Sequence, residues 1–334
     1  MKVSVLGAGS FGTAMANVLA DKEYNVFLYA RRKEIVESIN KNNENFEYLP
    51  GIKLSKNIIA SDSVEECLKN TNLIVLAIPT QNITNFIKEN YKYFRENIPI
   101  LSVSKGIENE TLRLVSEILE QELPEQYHKF LCYLSGPSFA KEIIKRFPTV
   151  VSIASKNEEI AKKVQNYFYS NYFRTYWNDD VIGVEIGGSL KNIIAIACGI
   201  SDGLQLGHNT RAALITRGLA EITRLGVAKG ANPITFLGLT GLGDLVLTCT
   251  GDLSRNRSVG IQIGQGRKLK EILKELHQVA EGVVTTKSTY ELSKKLNVEM
   301  PITEAVYKIL YEEVAPKDVV KELMQRKLKK EYEN

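Results

Sequence analysis

The sequence predicts a doubly wound α/β domain followed by an all-α C-terminal domain, on three observations. Strand-like runs alternate with helical patterns through the first half of the chain. The first of those runs ends in a glycine motif that opens a helix. From about Val181 the strand-like runs stop, and helical periodicity carries the chain to its end. A boundary is therefore expected near 180, giving an α/β unit over 1–180 and a helical unit over 181–334. At 334 residues each unit has enough chain for a core of its own. No Pro- or Ser-rich linker separates them, so a large shared interface is expected rather than a free hinge.

Val3-Ser4-Val5-Leu6 is a short β-type run that enters Gly7-Ala8-Gly9-Ser10-Phe11-Gly12, and Thr13 to Ala20 follow at helical spacing. Between a strand and a helix, the glycines Gly7, Gly9 and Gly12 let backbone approach a pyrophosphate whose charge sits over the helix N-terminus. This half therefore reads as a Rossmann-type dinucleotide-binding domain. The second strand, Asn25 to Tyr29, ends at Ala30-Arg31-Arg32. A NAD-selective site places an acid about 20 residues beyond the glycine loop, to hold the ribose 2′-hydroxyl. Two arginines stand here instead. They favour a 2′-phosphate, hence NADPH as preferred cofactor with NADH possible, although solvated loop arginines would look the same.

Further strands are expected at Leu73–Ile78, Ile100–Val103 and Phe130–Leu134. They end in Pro79-Thr80, Ser104-Lys105-Gly106 and Ser135-Gly136-Pro137-Ser138, and in open α/β sheets the ligand crevice lies outside those ends. Lys105 is thus a substrate or cofactor candidate, or else a surface lysine closing a strand.

The first helix of the second half reads Gly183-Val184-Glu185-Ile186-Gly187-Gly188-Ser189-Leu190-Lys191-Asn192, continuing through Ile193 to Cys198. Glycine inside a helix costs about 1 kcal/mol relative to alanine, so Gly187, Gly188 and Ser189 point to close approach of another backbone or a flat ring. Lys191 lies amid apolar residues; it is either a snorkelling structural lysine or an enclosed proton donor that Asp244 keeps charged. The stretch from Gly238 to Arg257, GLTGLGDLVLTCTGDLSRNR, alternates glycine with small polar residues before its arginines. It is either a glycine-rich surface connection or backbone brought close to a small anion, with Arg255 placed for a bidentate phosphate contact.

Composition narrows the classes. With 43 basic against 39 acidic residues, the charge is too balanced to suggest nucleic-acid binding, whereas a small phosphorylated ligand needs only a local excess. Cys67, Cys132, Cys198 and Cys249 form no C-x-x-C pair and the three histidines are scattered, so no metal site and no disulfide framework are expected. Reduced, buried thiols in a cytoplasmic protein are the expectation. Met1-Lys2 runs straight into a strand, so no secretory leader is expected. The apolar stretch Ile193 to Ile200 is too short to span a bilayer, and no membrane insertion is expected. Lys317 to Asn334 has the pattern of a charged amphipathic helix with a solvated face.

Taken in order, VLGAGSFGTA, YARR, LSVSKGIE, LSGPSFA, GVEIGGSLKNIIAIACGI, TRAALITRGL, FLGLTGLGDLVLTCTGDLSRNR and QVAEGVVTT resemble the bacterial-type soluble NAD(P)-dependent sn-glycerol-3-phosphate dehydrogenases over essentially the whole chain. The glycine loop alone would fit many reductases; SLKN, GLGDL and SRNR together are specific. The resemblance implies that Ser10, Phe11, Arg31 and Arg32 bind NADPH, and that Lys105 contacts cofactor and substrate. It implies Gly136 and Ser138 on the substrate side, Ala140 near the cofactor, and Lys191 as general acid/base. Asp244, Ser254, Arg255 and Asn256 would hold glycerol phosphate, with Arg255 also near the cofactor and Val279 and Glu281 closing on the nucleotide. Thr248 would be a polar neighbour one turn beyond Asp244. The family often has Trp where this chain has Phe11, which preserves an aromatic wall. A homodimer and a role supplying glycerophospholipid synthesis are implied as well. Two rivals stay open: a β-hydroxyacid dehydrogenase of similar architecture, since arginine binds carboxylates too, and a silent NADPH sensor, which would need no proton donor.

Overall fold

The computed structural model describes residues 1–275, 280–328 and 330–331. The first half contributes β1 (Lys2–Leu6), α1 (Ser10–Ala20), β2 (Asn25–Tyr29), α2 (Lys33–Asn42), β3 (Ile58–Ser61), α3 (Val64–Leu68), β4 (Ile74–Leu76), α4 (Ile83–Asn90), β5 (Ile100–Ser102) and α5 (Val115–Glu122). It continues with β6 (Leu131–Ser135), α6 (Ala140–Ile143), β7 (Thr149–Ala154), α7 (Glu158–Phe168) and β8 (Phe173–Asn178). These strands form one sheet in the order β3-β2-β1-β4-β5-β6-β7-β8. Every neighbouring pair is parallel except β6–β7. The order reverses between β1 and β4, which opens a crevice at their C-terminal ends.

Strand alternation explains why both sheet faces are buried. Val3, Val5, Leu73, Val75, Leu101, Cys132 and Leu134 enter one core, while Ile74, Leu76, Ile100, Leu131 and Tyr133 point to the opposite core under α3, α4 and α5. The sequence singles out five of the strands. It passes over β3, which is short, and over β7 and the edge strand β8, whose exposed Tyr176 and Trp177 break any apolar alternation.

The second half is helical: α8 (Val181–Gly203), α9 (Gly207–Ala228), α10 (Asp244–Thr250), α11 (Arg255–Gly264), α12 (Leu269–Glu275), α13 (Glu281–Lys295), α14 (Pro301–Tyr311) and α15 (Pro316–Met324). Asp180 starts α8 by accepting the Gly183 N–H at 2.9 Å, and its other oxygen accepts Asn232 N–H and the Thr235 hydroxyl. The apolar run in α8 belongs to a helix longer than the sequence reading allowed. Its 23 residues, whose most apolar 18-residue window has mean hydropathy 1.5, would suffice to cross a bilayer, but 94% of that window is buried inside the protein. It is the axis of the helical half, packed by α9, α10, α11, α13 and α14.

Its tightest contact is with α11. A Cβ on Gly199 would lie 2.1 Å from the Arg257 carbonyl oxygen, and one on Gly260 would lie 2.2 Å from that of Ile196. Gly203 and Gly264 repeat the contact one turn on. The two backbones therefore touch, and α11 is set at a fixed height along α8. The charged C-terminal pattern forms a helix only as far as Met324, while Lys329 and residues 332–334 lie outside the described residues.

Candidate active site

The glycine loop has the shape a pyrophosphate needs. Gly7 adopts φ +119°, and a Cβ there would meet the Ala77 carbonyl oxygen at 2.4 Å, so the loop packs hard against the end of β4. A Cβ on Gly9, by contrast, would meet nothing within 4 Å. The start of α1 has no side-chain cap and no acid in its first turn, which leaves its amides to an anionic ligand. This open cradle fits a dinucleotide. Thr80 Oγ1, a few residues beyond β4, and Ser135 Oγ, at the end of β6, are buried polar atoms with no hydrogen-bond partner among the described residues.

Three charged groups from distant segments meet beside it. Asp244, 1% exposed at the first turn of α10, accepts from Lys105 Nζ at 3.0 Å through one oxygen and from Lys191 Nζ through the other. The turn Leu239–Gly243 that delivers Asp244 is π-helical, with Gly243 N–H donating to the Gly238 carbonyl at 3.1 Å. That turn lies on α8 where Gly187 lacks a side chain: a Cβ there would be 2.6 Å from the Thr240 carbonyl oxygen. Gly188 makes the same allowance for Ser135 Oγ. The small residues thus do admit a close neighbour. Thr248 stands one turn along α10, its hydroxyl donating to the Asp244 carbonyl at 2.6 Å and lying 3.3 Å from Oδ1.

Lys191 is 7% exposed. Burial pulls its pKa down to about 8; Asp244 opposes that shift and the Lys105 charge adds to it. Asp244 thus acts on Lys191 in the direction the sequence suggests, offsetting part of the desolvation so that the ammonium still prevails below about pH 8. Burial alone would raise the Asp244 carboxyl, but Lys105 and Lys191 hold it below the ordinary value. Lys105 Nζ also lies 5.8 Å from the Phe11 ring centroid, which brings the aromatic residue of the glycine loop to the charged cluster. The Lys105 loop is gripped from the helical half: Gly106 N–H donates to Ser189 Oγ at 2.8 Å, and Ser288 Oγ donates to the Ile107 carbonyl at 3.0 Å.

The start of α11 forms the next wall. Ser254 is its cap, accepting the Arg257 N–H at 3.2 Å. Asn256 Oδ1 accepts the Gly282 N–H at 3.0 Å, which ties α11 to the first turn of α13. Arg255 keeps accessible surface while surrounding protein desolvates its guanidinium and lowers its pKa, against Glu281 and Tyr48. Burial raises the Glu281 carboxyl, opposed by Arg255, Lys105 and Lys191. Glu281 is therefore within electrostatic reach of Arg255 and of the lysine pair. Ser138 Oγ donates to the Gly136 carbonyl at 2.8 Å, and Ala140 opens α6 against the core that also holds Phe11. Val279 lies outside the described residues.

Sequence reasoning did not single out the acids that hold two of the arginines, Asp202 and Glu47. Arg257, the last arginine of the SRNR run, forms a paired contact with Asp202, which also accepts from Nε and Nη2 of Arg211. It fastens α11 to the end of α8. Arg32 pairs with Glu47, and both arginines after β2 are exposed. Neither contact has a local sequence signal, since each joins segments far apart in the chain.

Sequence models of the NAD-dependent glycerol-3-phosphate dehydrogenase family match in two parts, the N-terminal one over residues 2–161 and the C-terminal one over 180–321. The chain is 57% identical over 331 residues to a glycerol-3-phosphate dehydrogenase (NAD(P)+) of Leptospira biflexa, covering 99% of each protein. It is 53% identical over 330 residues to the protein of that name from Citrifermentans bemidjiense, covering 99% of this chain and 98% of that one. The crystal structure of glycerol-3-phosphate dehydrogenase from Coxiella burnetii superposes with a TM-score of 0.93 at 39% identity, covering 97% of this chain and 99% of that one. With both halves matched and relatives this similar along the full length, the chain belongs to the NAD-dependent glycerol-3-phosphate dehydrogenase family.

Proposed function

We propose that this protein is an NAD(P)-dependent glycerol-3-phosphate dehydrogenase that reduces dihydroxyacetone phosphate to sn-glycerol 3-phosphate, reversibly and with NADPH preferred. The observation that carries the reading is the Lys105–Asp244–Lys191 cluster, set between an open pyrophosphate cradle and Arg255. Bound NADPH supplies the hydride to the ketone carbon. The chain's own task is to hold that carbon in place and manage the charge that grows on its oxygen. Lys191 donates a hydrogen bond to the carbonyl oxygen and then the proton, so no alkoxide persists. Asp244 orients both ammonium groups, and Lys105 adds positive potential on the cofactor side. Arg255 takes the phosphate, with Asn256 and Ser254 beside it, so that binding remote from the reacting carbon positions it. Gly136 and Ser138 line the substrate side.

In this reading residues 1–180 bind nucleotide and residues 181–334 supply the proton donor and the phosphate site. The family reading adds a cytoplasmic homodimer whose product feeds glycerophospholipid synthesis. A substrate comparison tests the phosphate assignment. Arg255→Ala should raise KM for dihydroxyacetone phosphate roughly 10- to 100-fold, the scale of a charge-assisted hydrogen bond. It should leave phosphate-free dihydroxyacetone unchanged. Equal loss on both substrates would remove Arg255 from the phosphate, and turnover on carboxylate substrates alone would replace the reaction with that of a hydroxyacid dehydrogenase.

A further inference from the structure

The end of β2 carries no acid, yet an acid reaches that place from elsewhere. Glu47 pairs with Arg32, their side chains being 20% and 44% exposed. The turn that holds Glu47 is anchored to the dinucleotide loop. Asn45 is fully buried, its side-chain nitrogen donating to the Ala8 carbonyl and to Thr13 Oγ1, both at 2.9 Å. Its side-chain oxygen accepts the Tyr48 N–H at 3.3 Å, and the Tyr48 carbonyl accepts from Ser10 Oγ at 3.1 Å. Arg32 also lies 5.8 Å from the centroid of the Tyr48 ring. Glu47 is thus fixed between two residues that touch the glycine loop, on the side where β2 ends.

Charge arithmetic then bears on which cofactor the crevice accepts. Two free arginines would meet a 2′-phosphate with two positive charges. With Arg32 neutralised by Glu47, the local excess falls to one, and a carboxylate stands beside it as an acceptor.

We propose that Glu47 is a cofactor-specificity residue. Its carboxylate, held by Arg32 beside the 2′ position of the adenosine ribose, accepts a 2′-hydroxyl and opposes a 2′-phosphate. It thereby admits NADH to a site whose arginines favour NADPH. This rests on the reading that Arg31 and Arg32 face the ribose, and the test separates the two. Glu47→Gln keeps the shape and can still accept from Arg32, so the turn is preserved. Kd values for NADPH and NADH are read from reduced-nicotinamide fluorescence, and kcat/KM is measured with each. The expected result is a shift of roughly tenfold towards NADPH, through tighter NADPH and weaker NADH, the scale of one charged contact in a part-exposed site. Arg31→Ala, measured in parallel, should move the preference towards NADH. If Arg31→Ala does so and Glu47→Gln leaves the ratio within about twofold of the parent, the Glu47 proposal is overturned and the ribose reading stands. If neither variant moves the ratio, both are overturned.

Discussion

Three influences set the Lys191 ammonium: burial, the Asp244 carboxylate and the neighbouring Lys105 charge. Burial prevails and draws the pKa down to about 8, close to where a proton donor and acceptor can exchange roles. The sign follows for both directions of reaction. On the proposed mechanism ketone reduction needs the protonated lysine, so its rate should fall as pH rises through about 8. Oxidation of glycerol phosphate needs the neutral amine and should rise over the same range. Paired pH profiles check this, and parallel profiles in both directions would place the titrating group elsewhere. Lys191 and Asp244 were legible because a lysine inside an apolar helix, and an acid in a glycine-rich run, are both out of character for their surroundings. Glu47 and Asp202 were not, because their meaning comes only from Arg32 and Arg257, brought to them by the fold.

At the scale of elements, α8 and α11 decide how far Lys191, the proposed proton donor, lies from Arg255, the proposed phosphate contact. Lys191 rides on α8 and Arg255 opens α11, and the paired glycines fix the two helices against each other with no side chain between them. Gly260→Ala would place a methyl 2.2 Å from the Ile196 carbonyl oxygen, so the backbones must part. Destabilisation of about 1–3 kcal/mol, the usual cost of overpacking, is expected as a lower denaturation midpoint. Because α11 moves with it, KM for the phosphorylated substrate should rise more than KM for NADPH. A stable variant with unchanged KM would show that the crossing tolerates separation. The small residues of α8 announced close packing in the sequence, but not its partner. That Gly187 faces the π-helical turn while Gly199 faces α11 depends on topology, which local pattern does not encode.

For the whole molecule, the two halves meet along one wall, with α8 as its centre. Ile107 and Leu114 from the first half enter the helical core, while Val181 and Val184 of α8 enter the core beneath the sheet. Ser116 N–H in α5 donates to the Glu185 carboxyl at 2.9 Å, and burial pushes that group up to about 8. The absence of a linker signalled this shared interface, and the change of periodicity near Val181 coincides with the start of α8. The candidate site draws residues from both halves, so on the proposed mechanism neither half performs the reaction alone. The most direct test is the rate of NADPH oxidation by dihydroxyacetone phosphate, compared between the parent chain and Lys191→Ala. With Lys191 as the acid, the parent should turn over rapidly and the variant should lose on the order of 10²–10⁴-fold, the range of general acid catalysis, with NADPH affinity near normal. Equal turnover in the two proteins would contradict that role.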